Sequence, residues 1–204
     1  MMLQLQQAVT FHRNLPEDLW FALEGCGISA ALIHARLIGW DGEAITIPVF
    51  SRDRKVVAFE YAAFDEQGRL AVLPEEGQRP YLYGEPVLNL SPREVVLTEG
   101  VVESLILSSQ GFNALSATLD GLSFREEWAP ALRKVRNVFI CFKRHAESIG
   151  SALIVRDLVS SARIVTLPPE VGHGGGLYEF FVELGQSAAD FRALLSRAAD
   201  SPDV

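Results

Sequence analysis

The feature that most constrains this chain is the order of its apolar runs after Arg93. Short apolar runs there alternate with segments of helical periodicity. Strands that alternate with helices are typical of a parallel sheet with helices on its faces, so the pattern predicts an α/β fold. The predicted strands cover residues 94–98, 113–117, 137–142 and 162–167, and the predicted helices cover 101–110, 123–135, 147–160, 177–184 and 187–199.

The first ninety residues follow a different pattern. A helix is predicted from Glu17 to about Leu23, with Gly25 ending it. Four strands are then predicted in two pairs, at 31–38 with 44–50 and at 55–64 with 69–73, and each pair flanks a turn rich in Asp and Gly. Such pairs predict a small antiparallel lobe. The overall class is therefore α/β, or α+β when this lobe is counted.

Composition sets outer limits on what the chain does. Hydrophobic residues make up 49% of its 204 residues and charged residues 22%, which indicates a globular protein. No apolar run approaches the roughly 18 residues of a membrane span, and no secretory signal pattern begins the chain, so we expect no membrane partner and a cytoplasmic location. Cys26 and Cys141 lie in apolar stretches without nearby ligands, which predicts buried free thiols.

The chemistry of the sequence concentrates at two predicted strand ends. Glu99-Gly100 follows the strand 94–98, and open α/β sheets bind their ligands at the carboxyl ends of strands. The strand 137–142 is expected beside it, and it ends in Lys143, Arg144 and His145. The predicted crevice therefore combines one glutamate with three basic residues.

These segments resemble a known family in their order and spacing. Glu99-Gly100-x-x-Glu103, the stretch from Gly111 to Leu119 and the strand 137–142 are similar to the Toprim domain of bacterial replicative primases. In that family the later strand ends in Asp-x-Asp. Lys143, Arg144 and His145 stand at those positions here, and Ser148 stands near an expected glycine. The resemblance therefore implies the fold together with degenerate metal-binding motifs.

Segments of the first ninety residues extend the resemblance to the amino-terminal lobe of the primase polymerase core. They are Gly25–Ile28, Ile45–Val49, Val56–Phe59 and Tyr81–Gly84. The family carries a template-binding arginine beside the first of these glycines, where this chain has Cys26. The implied organisation is a primase-core-like lobe at residues 1–90, a Toprim-like domain at 91–182, and a carboxy-terminal helix and tail at 183–204.

The resemblance makes Glu99 a vestigial candidate for catalysis. Mg²⁺ sites need several oxygen ligands, and one carboxylate does not form such a site, so we expect no metal and no cofactor in this crevice. Lys143, with Arg144 and His145, is left with two roles: binding a phosphate directly, or neutralising Glu99, for which we expect a Glu99–Lys143 ion pair. Glu103, one turn further on, either faces the crevice or caps the start of its own helix, and we expect the cap.

Two further features bear on nucleic-acid binding. The net charge of −8 disfavours strong phosphate binding, but residues 125–144 contain six basic residues against two acidic ones. Arg133, Lys134 and Arg136, together with Arg144, are therefore candidates for weak, salt-sensitive binding of single-stranded nucleic acid. The loop Gly172–Gly176 is either a phosphate-binding nest or a flexible surface loop.

The leading hypothesis is a catalytically degenerate primase-like protein that binds nucleic acid or a replication partner such as a helicase. One alternative is a metal-dependent primase or nuclease that uses Mg²⁺ through rearranged acids such as Glu147 and Glu179. Another is an acidic scaffold subunit that does not bind nucleic acid.

Overall fold

Two sheets, one after the other along the chain, organise the protein. The computed structural model describes residues 2–73, 77, 79–119 and 122–200. The first sheet has four strands in the order β1-β2-β3-β4, and the second has five in the order β5-β7-β6-β8-β9. The predicted combination of an antiparallel lobe with a mainly parallel sheet is confirmed.

Three helices precede the antiparallel sheet. They are α1 (Met2–Arg13), α2 (Glu17–Gly25) and α3 (Ala30–Arg36), and the strands that follow are β1 (Gly39–Trp40), β2 (Ile45–Phe50), β3 (Val56–Phe64) and β4 (Leu70–Val72). Each strand pairs antiparallel with the next. The predicted helix 17–23 and strands 44–50, 55–64 and 69–73 are confirmed within one or two residues at their ends.

The predicted strand at residues 31–38 is wrong, because this segment forms α3. The hydroxyl of Ser29 accepts a hydrogen bond from the backbone N–H of Leu32 and so caps the helix at its start. Leu37 ends it in the left-handed conformation, with φ of 53°. Ile33 on this short helix is completely buried, so the apolar run contributes to the core as a helix and not as a strand.

The second half contains the parallel sheet. Strands β6, β7, β8 and β9 are parallel, and β5 joins the edge of the sheet antiparallel to β7. Its strands are β5 (Leu82–Tyr83), β6 (Glu94–Thr98), β7 (Ala114–Ala117), β8 (Asn137–Cys141) and β9 (Ala162–Ile164), and its α-helices are α4 (Val101–Ser109), α5 (Ala129–Leu132), α6 (Ala146–Leu158) and α7 (Ala188–Asp200). Short 3₁₀ segments cover Glu85–Leu90, Glu126–Trp128 and Pro169–Val171, and a π-helical segment covers Glu179–Glu183.

One hydrophobic core joins the two sheets. It includes Ile47 of β2, Leu105 of α4, Phe139 of β8 and Phe191 of α7. A second cluster fills the opposite face of the parallel sheet, under α5 and α6. Because α4 packs between the sheets, the loop that begins it is held from both sides, and Glu99 lies in that loop.

The two thiols behave as predicted, since Cys26 and Cys141 are both free and buried. Within the part of the chain that the structure describes, we find no helix of the length and apolarity that a membrane span requires.

The contact between α1 and β1 gives a first prediction. A methyl group on Gly39 would lie 2.3 Å from the carbonyl carbon of Phe11, and backbone atoms cannot move aside as a flexible side chain can. Gly39→Ala should therefore displace α1 and lower the free energy of unfolding by about 1–3 kcal/mol, measured by urea denaturation.

The matched control is Gly25→Ala, because a methyl group there meets no heavy atom within 4 Å. Its stability should stay within about 0.5 kcal/mol of the original. Equal stability of both variants would show that α1 does not pack on β1 in this way.

Candidate functional site

A crevice of about 330 Å³ lies where α4 and the carboxyl ends of β6 and β8 face the antiparallel sheet. Register pairing places Thr98 opposite Cys141, so the residues that follow these two strands emerge side by side. The charged residues that line the crevice are Asp65, Arg69, Glu99, Glu103, Lys143 and Glu179. The structure thus places Glu99 and Lys143 in one crevice, as expected.

Glu99 is 9% exposed and is surrounded by hydrogen-bond donors. Its Oε2 accepts the backbone N–H of Lys143 at 3.0 Å and the hydroxyl of Ser148. The Nε2 of His145 lies 3.6 Å from Oε1. Both oxygens are therefore engaged by the segment that connects β8 to α6.

The predicted Glu99–Lys143 ion pair is wrong. Among the described residues, the carboxylate of Glu99 is within ion-pair distance of His145, and Lys143 contacts it only through the backbone. The reason is local geometry: the turn after β8 points the N–H of Lys143 at Glu99, and its side chain extends elsewhere along the crevice. The basic side chain beside the carboxylate of Glu99 is therefore that of His145.

His145 and Ser148 form the first turn of α6. The Nδ1 of His145 accepts the N–H of Ser148 at 3.4 Å, so His145 is the N-cap of the helix. The hydroxyl of Ser148 is fully buried and lies 2.9 Å from Nε2 of His145. Because helix amino termini favour negative charge, this position also stabilises the carboxylate of Glu99.

Glu103 does not cap its own helix, so that prediction is wrong. Its carboxylate, 6% exposed, accepts the backbone N–H of Leu177 at 2.5 Å and of Tyr178 at 3.3 Å. Gly176 makes this approach possible, since a Cβ there would lie 2.7 Å from Oε2 of Glu103. The glutamate therefore binds the start of a segment 74 residues further along the chain.

Burial raises the pKa of Glu103 from 4.5 to about 7. The ammonium group of Lys143 and the hydrogen bonds from Leu177 and Tyr178 lower it, but these effects are smaller than the desolvation. Lys143 thus interacts electrostatically with Glu103 in the crevice.

The loop Gly172–Gly176 is held by its neighbours. Arg144 exchanges backbone hydrogen bonds with Gly174 and Gly175, each at 3.0 Å, and the N–H of Gly176 donates to Oε2 of Glu179 at 2.6 Å. The next two N–H groups donate to Glu103. The backbone donors that a phosphate nest would offer at residues 176–178 are therefore occupied by two carboxylates.

The predicted basic residues lie at opposite ends of the parallel strands. Arg144 follows β8 at the crevice edge, and its guanidinium donates to the carbonyl of Pro168 at 3.1 Å. Arg133, Lys134 and Arg136 precede β8, and Arg133 donates to the carbonyl of Leu158 at 2.7 Å. The structure therefore groups the last three and separates them from Arg144.

A groove of about 510 Å³ lies at the amino-terminal end of the parallel strands, beside Arg136. Arg93 also borders it, together with Glu94, Asn113 and Asn137. Arg93, Lys134 and Arg136 are all exposed. Arg93 was missed by the sequence analysis because it lies 43 residues before Arg136, and only the pairing of β6 with β8 brings the two together.

The acids proposed as substitute metal ligands also divide. Glu179 lies in the crevice, where its Oε1 accepts from Arg69 at 3.0 Å, whereas Glu147 is exposed on α6. Arg69 also contacts Glu183 at 2.5 Å and lies over the ring of Tyr178. Within residues 2–73, 77, 79–119 and 122–200, no three His, Cys, Asp or Glu side chains are grouped so that they could hold a metal ion.

Comparison with solved structures identifies the architecture. A DnaG catalytic core matches with a TM-score of 0.76 and 16% sequence identity, covering 97% of this chain and 79% of that chain. The chain has the fold of a DnaG-type primase core. A DnaG primase catalytic domain bound to single-stranded DNA matches equally well, with a TM-score of 0.76, 16% identity and coverage of 97% and 80%.

A larger structure from Aquifex aeolicus, comprising the zinc-binding and RNA polymerase domains of its primase, matches with a TM-score of 0.74 and 16% identity. The match covers 95% of this chain, which spans 60% of the length of that one. Neither a protein-family model nor a curated protein matches the sequence. The similarity to known proteins therefore lies in the fold.

The contact between Glu99 and Ser148 gives a prediction. Ser148→Ala removes a hydroxyl donor from a buried carboxylate, which should lower the free energy of unfolding by about 1.5–3 kcal/mol. In a Glu99→Gln background the same change should cost less, because the acceptor then carries no charge. Urea denaturation of the two single variants and the double variant measures this coupling, and strictly additive effects would contradict it.

The raised pKa of Glu103 gives a pH prediction. Because its folded-state pKa lies above the ordinary value, its contribution to stability is full below pH 4.5 and is lost as the pH rises through about 7. Glu103→Gln should therefore flatten the decline in the free energy of unfolding between pH 4.5 and 7, measured by chemical denaturation at several pH values.

Glu147→Gln is the control for this pH series, since Glu147 is an exposed carboxylate on α6. That variant should keep the original slope. If Glu103→Gln keeps it too, the buried carboxylate does not titrate in this range.

Proposed function

We propose that this chain is a primase-like replication protein whose parallel sheet is a degenerate Toprim domain, and that it acts as a nucleic-acid-associated module without synthesising primers. The proposal rests on one observation in particular. The only glutamate at the end of β6, Glu99, has its oxygens engaged by Lys143 N–H, Ser148 and His145.

The residues in the crevice do not fit Mg²⁺. This ion needs near-octahedral coordination by oxygen atoms, usually from carboxylates and water. The carboxylate of Glu99 already accepts hydrogen bonds from the protein. The carboxylate of Glu103 accepts the backbone N–H groups of Leu177 and Tyr178, and that of Glu179 accepts from the N–H of Gly176 and from Arg69. Lys143 adds a positive charge that opposes the entry of a cation. The proposed protein therefore carries out no metal-dependent phosphoryl transfer and needs no cofactor.

The surface proposed to bind nucleic acid lies at the amino-terminal ends of the parallel strands. Arg93 and Arg136 border the groove there, and Lys134 is exposed two residues before Arg136. Cationic side chains bind phosphates by releasing condensed counterions. A match to a primase domain bound to single-stranded DNA supports nucleic acid as the class of partner. The overall charge of −8 implies that binding is weak.

A helicase is the proposed protein partner. The fold also matches the primase fragment of the bacteriophage T7 primase-helicase protein, with a TM-score of 0.63, 12% identity and coverage of 86% of this chain and 72% of that chain. In that protein a primase and a helicase share one polypeptide, and we propose that this chain instead associates with a separate helicase.

Residual metal-dependent catalysis is the second candidate. The observation in its favour is that Glu99, Glu103 and Glu179 line the same crevice. It requires these carboxylates to exchange their present hydrogen bonds for metal ligands, and this makes it the weaker proposal.

Binding and priming assays test the proposal together. Anisotropy of a labelled single strand should show a log affinity that falls with log salt concentration, and replacing Lys134 and Arg136 by Ala should reduce the steepness of that slope by about 1.4, from two lost phosphate contacts. The control replaces Arg13 and Lys55, two exposed basic residues elsewhere, and should keep the slope.

A priming assay on single-stranded template with Mg²⁺ or Mn²⁺ should stay at background.

Two results would contradict this function. Template-dependent products that disappear in Glu99→Gln would establish the residual enzyme. If the affinity for the labelled strand does not depend on salt, and replacing Lys134 and Arg136 does not change it, the basic surface does not bind phosphates. The remaining hypothesis would then be an acidic scaffold that binds protein partners.

A further inference from the structure

Two histidines from separate helices meet at the amino-terminal end of the fold. His12 lies near the end of α1 and His34 near the end of α3, and Nε2 of His12 is 3.0 Å from Nδ1 of His34. Trp20 of α2 packs against them, with its ring centroid 4.6 Å from that of His34. The pair thus connects three helices, and none of these helices contributes to the crevice described above.

The second ring nitrogen of His12 determines how the pair is oriented. Its Nδ1 lies 2.6 Å from the carbonyl oxygen of Ile38. A carbonyl only accepts hydrogen bonds, so Nδ1 carries the proton, and in the neutral ring the lone pair of Nε2 faces His34. A histidine held in this way by a backbone carbonyl has the outer hydrogen bond that metal-binding histidines almost always make.

We propose that His12 and His34 form a two-histidine binding site for a divalent transition metal ion such as Zn²⁺, Ni²⁺ or Cu²⁺. Imidazole nitrogens bind these ions at about 2.0–2.1 Å, and two such ligands at 90–110° around one ion lie about 2.9–3.4 Å apart. The observed 3.0 Å falls within that range. In the metal-free pair Nδ1 of His34 donates to His12, so its proton moves to Nε2 by exchange with solvent when an ion binds, and small ring rotations then direct both lone pairs at the ion.

Exposure and ligand type define which ions the site accepts. His34 is exposed and His12 is partly buried, so an ion can enter from solvent and complete its coordination with water. No third His, Cys, Asp or Glu joins the pair among the described residues. Imidazole ligands favour Zn²⁺, Ni²⁺ and Cu²⁺, whereas Mg²⁺ and Ca²⁺ favour oxygen.

A metal ion bound by both histidines would link α1 to α3. α1 packs so closely on β1 that Gly39 has no room for a Cβ beside Phe11 and His12. An ion held by both histidines stabilises this packed arrangement, because it binds the folded chain in preference to the unfolded one. The amino-terminal helix would then be anchored more firmly when the metal is present.

Calorimetric titration of the full chain, carrying no affinity-tag histidines, tests the site with ZnCl₂, NiCl₂ and CuCl₂. We expect one ion per chain and a higher melting temperature, with no such effect from MgCl₂. His34→Gln should weaken binding by about tenfold or more, since loss of an outer hydrogen bond alone costs 10–100-fold. His173→Gln, in the glycine-rich loop, should leave the affinity unchanged.

Electron paramagnetic resonance with Cu²⁺ separates coordination from general stabilisation. The original chain should show coupling to two imidazole nitrogens and His34→Gln to one. His34→Gln keeps the bond between His12 and Ile38, and an unchanged melting temperature in a chelator would show that this variant folds. No saturable binding of any of the three ions, or equal binding after substitution of either histidine, would overturn the site and leave only a hydrogen-bonded pair.

Discussion

The carboxylate of Glu103 joins α4 to the segment that closes the chain, and much of the second half depends on this contact. It accepts two consecutive backbone N–H groups, those of Leu177 and Tyr178. Close after them, Phe180 packs edge to face against Phe181 and against Phe191 of α7, and Phe181 packs on Phe191 in a tilted arrangement. The hydrogen bonds therefore fix where the aromatic cluster begins, and the cluster positions α7.

The same segment also reaches the antiparallel sheet. Glu179 accepts from Gly176 on one side and from Arg69, which precedes β4, on the other. Arg69 in turn lies over the ring of Tyr178. Charged groups thus line the crevice as links between the two sheets. Their hydrogen bonds occupy the acceptors and backbone donors that a bound ion or phosphate would otherwise use.

The strands of the parallel sheet could be predicted because β6 and β8 contain the uninterrupted apolar runs Val95–Leu97 and Val138–Cys141, which are buried on both faces. Register then placed Glu99 beside Lys143 correctly. α3 was mistaken for a strand because seven residues are too few to show helical periodicity, although Ser29 is a recognisable N-cap. α1 was missed since its sequence, Met2–Arg13, has no clear apolar stripe and packs through the backbone at Gly39.

The details of the site were harder to predict. The partners of Glu103 lie 74 residues away, and no local spacing encodes them. The choice between Lys143 and His145 as the partner of Glu99 depends on the direction of one turn after β8. Arg93 and Arg136 likewise become neighbours only through strand pairing. Contacts of this kind follow from tertiary structure, and single-sequence periodicity carries no record of them.

The cluster around Glu99 limits which substitutions could create a metal site. An aspartate at position 145 would still cap α6, but it would place a second negative charge close to Glu99, where the Nε2 of His145 now lies 3.6 Å away. Like charges at such a distance repel, and one of them would be protonated until an ion arrived. An acid at position 143 would meet the buried Glu103 in the same way. Each single step toward coordination therefore destabilises the protein before any ion can offset the loss, and the present arrangement is a local optimum that substitutions made one at a time do not easily leave.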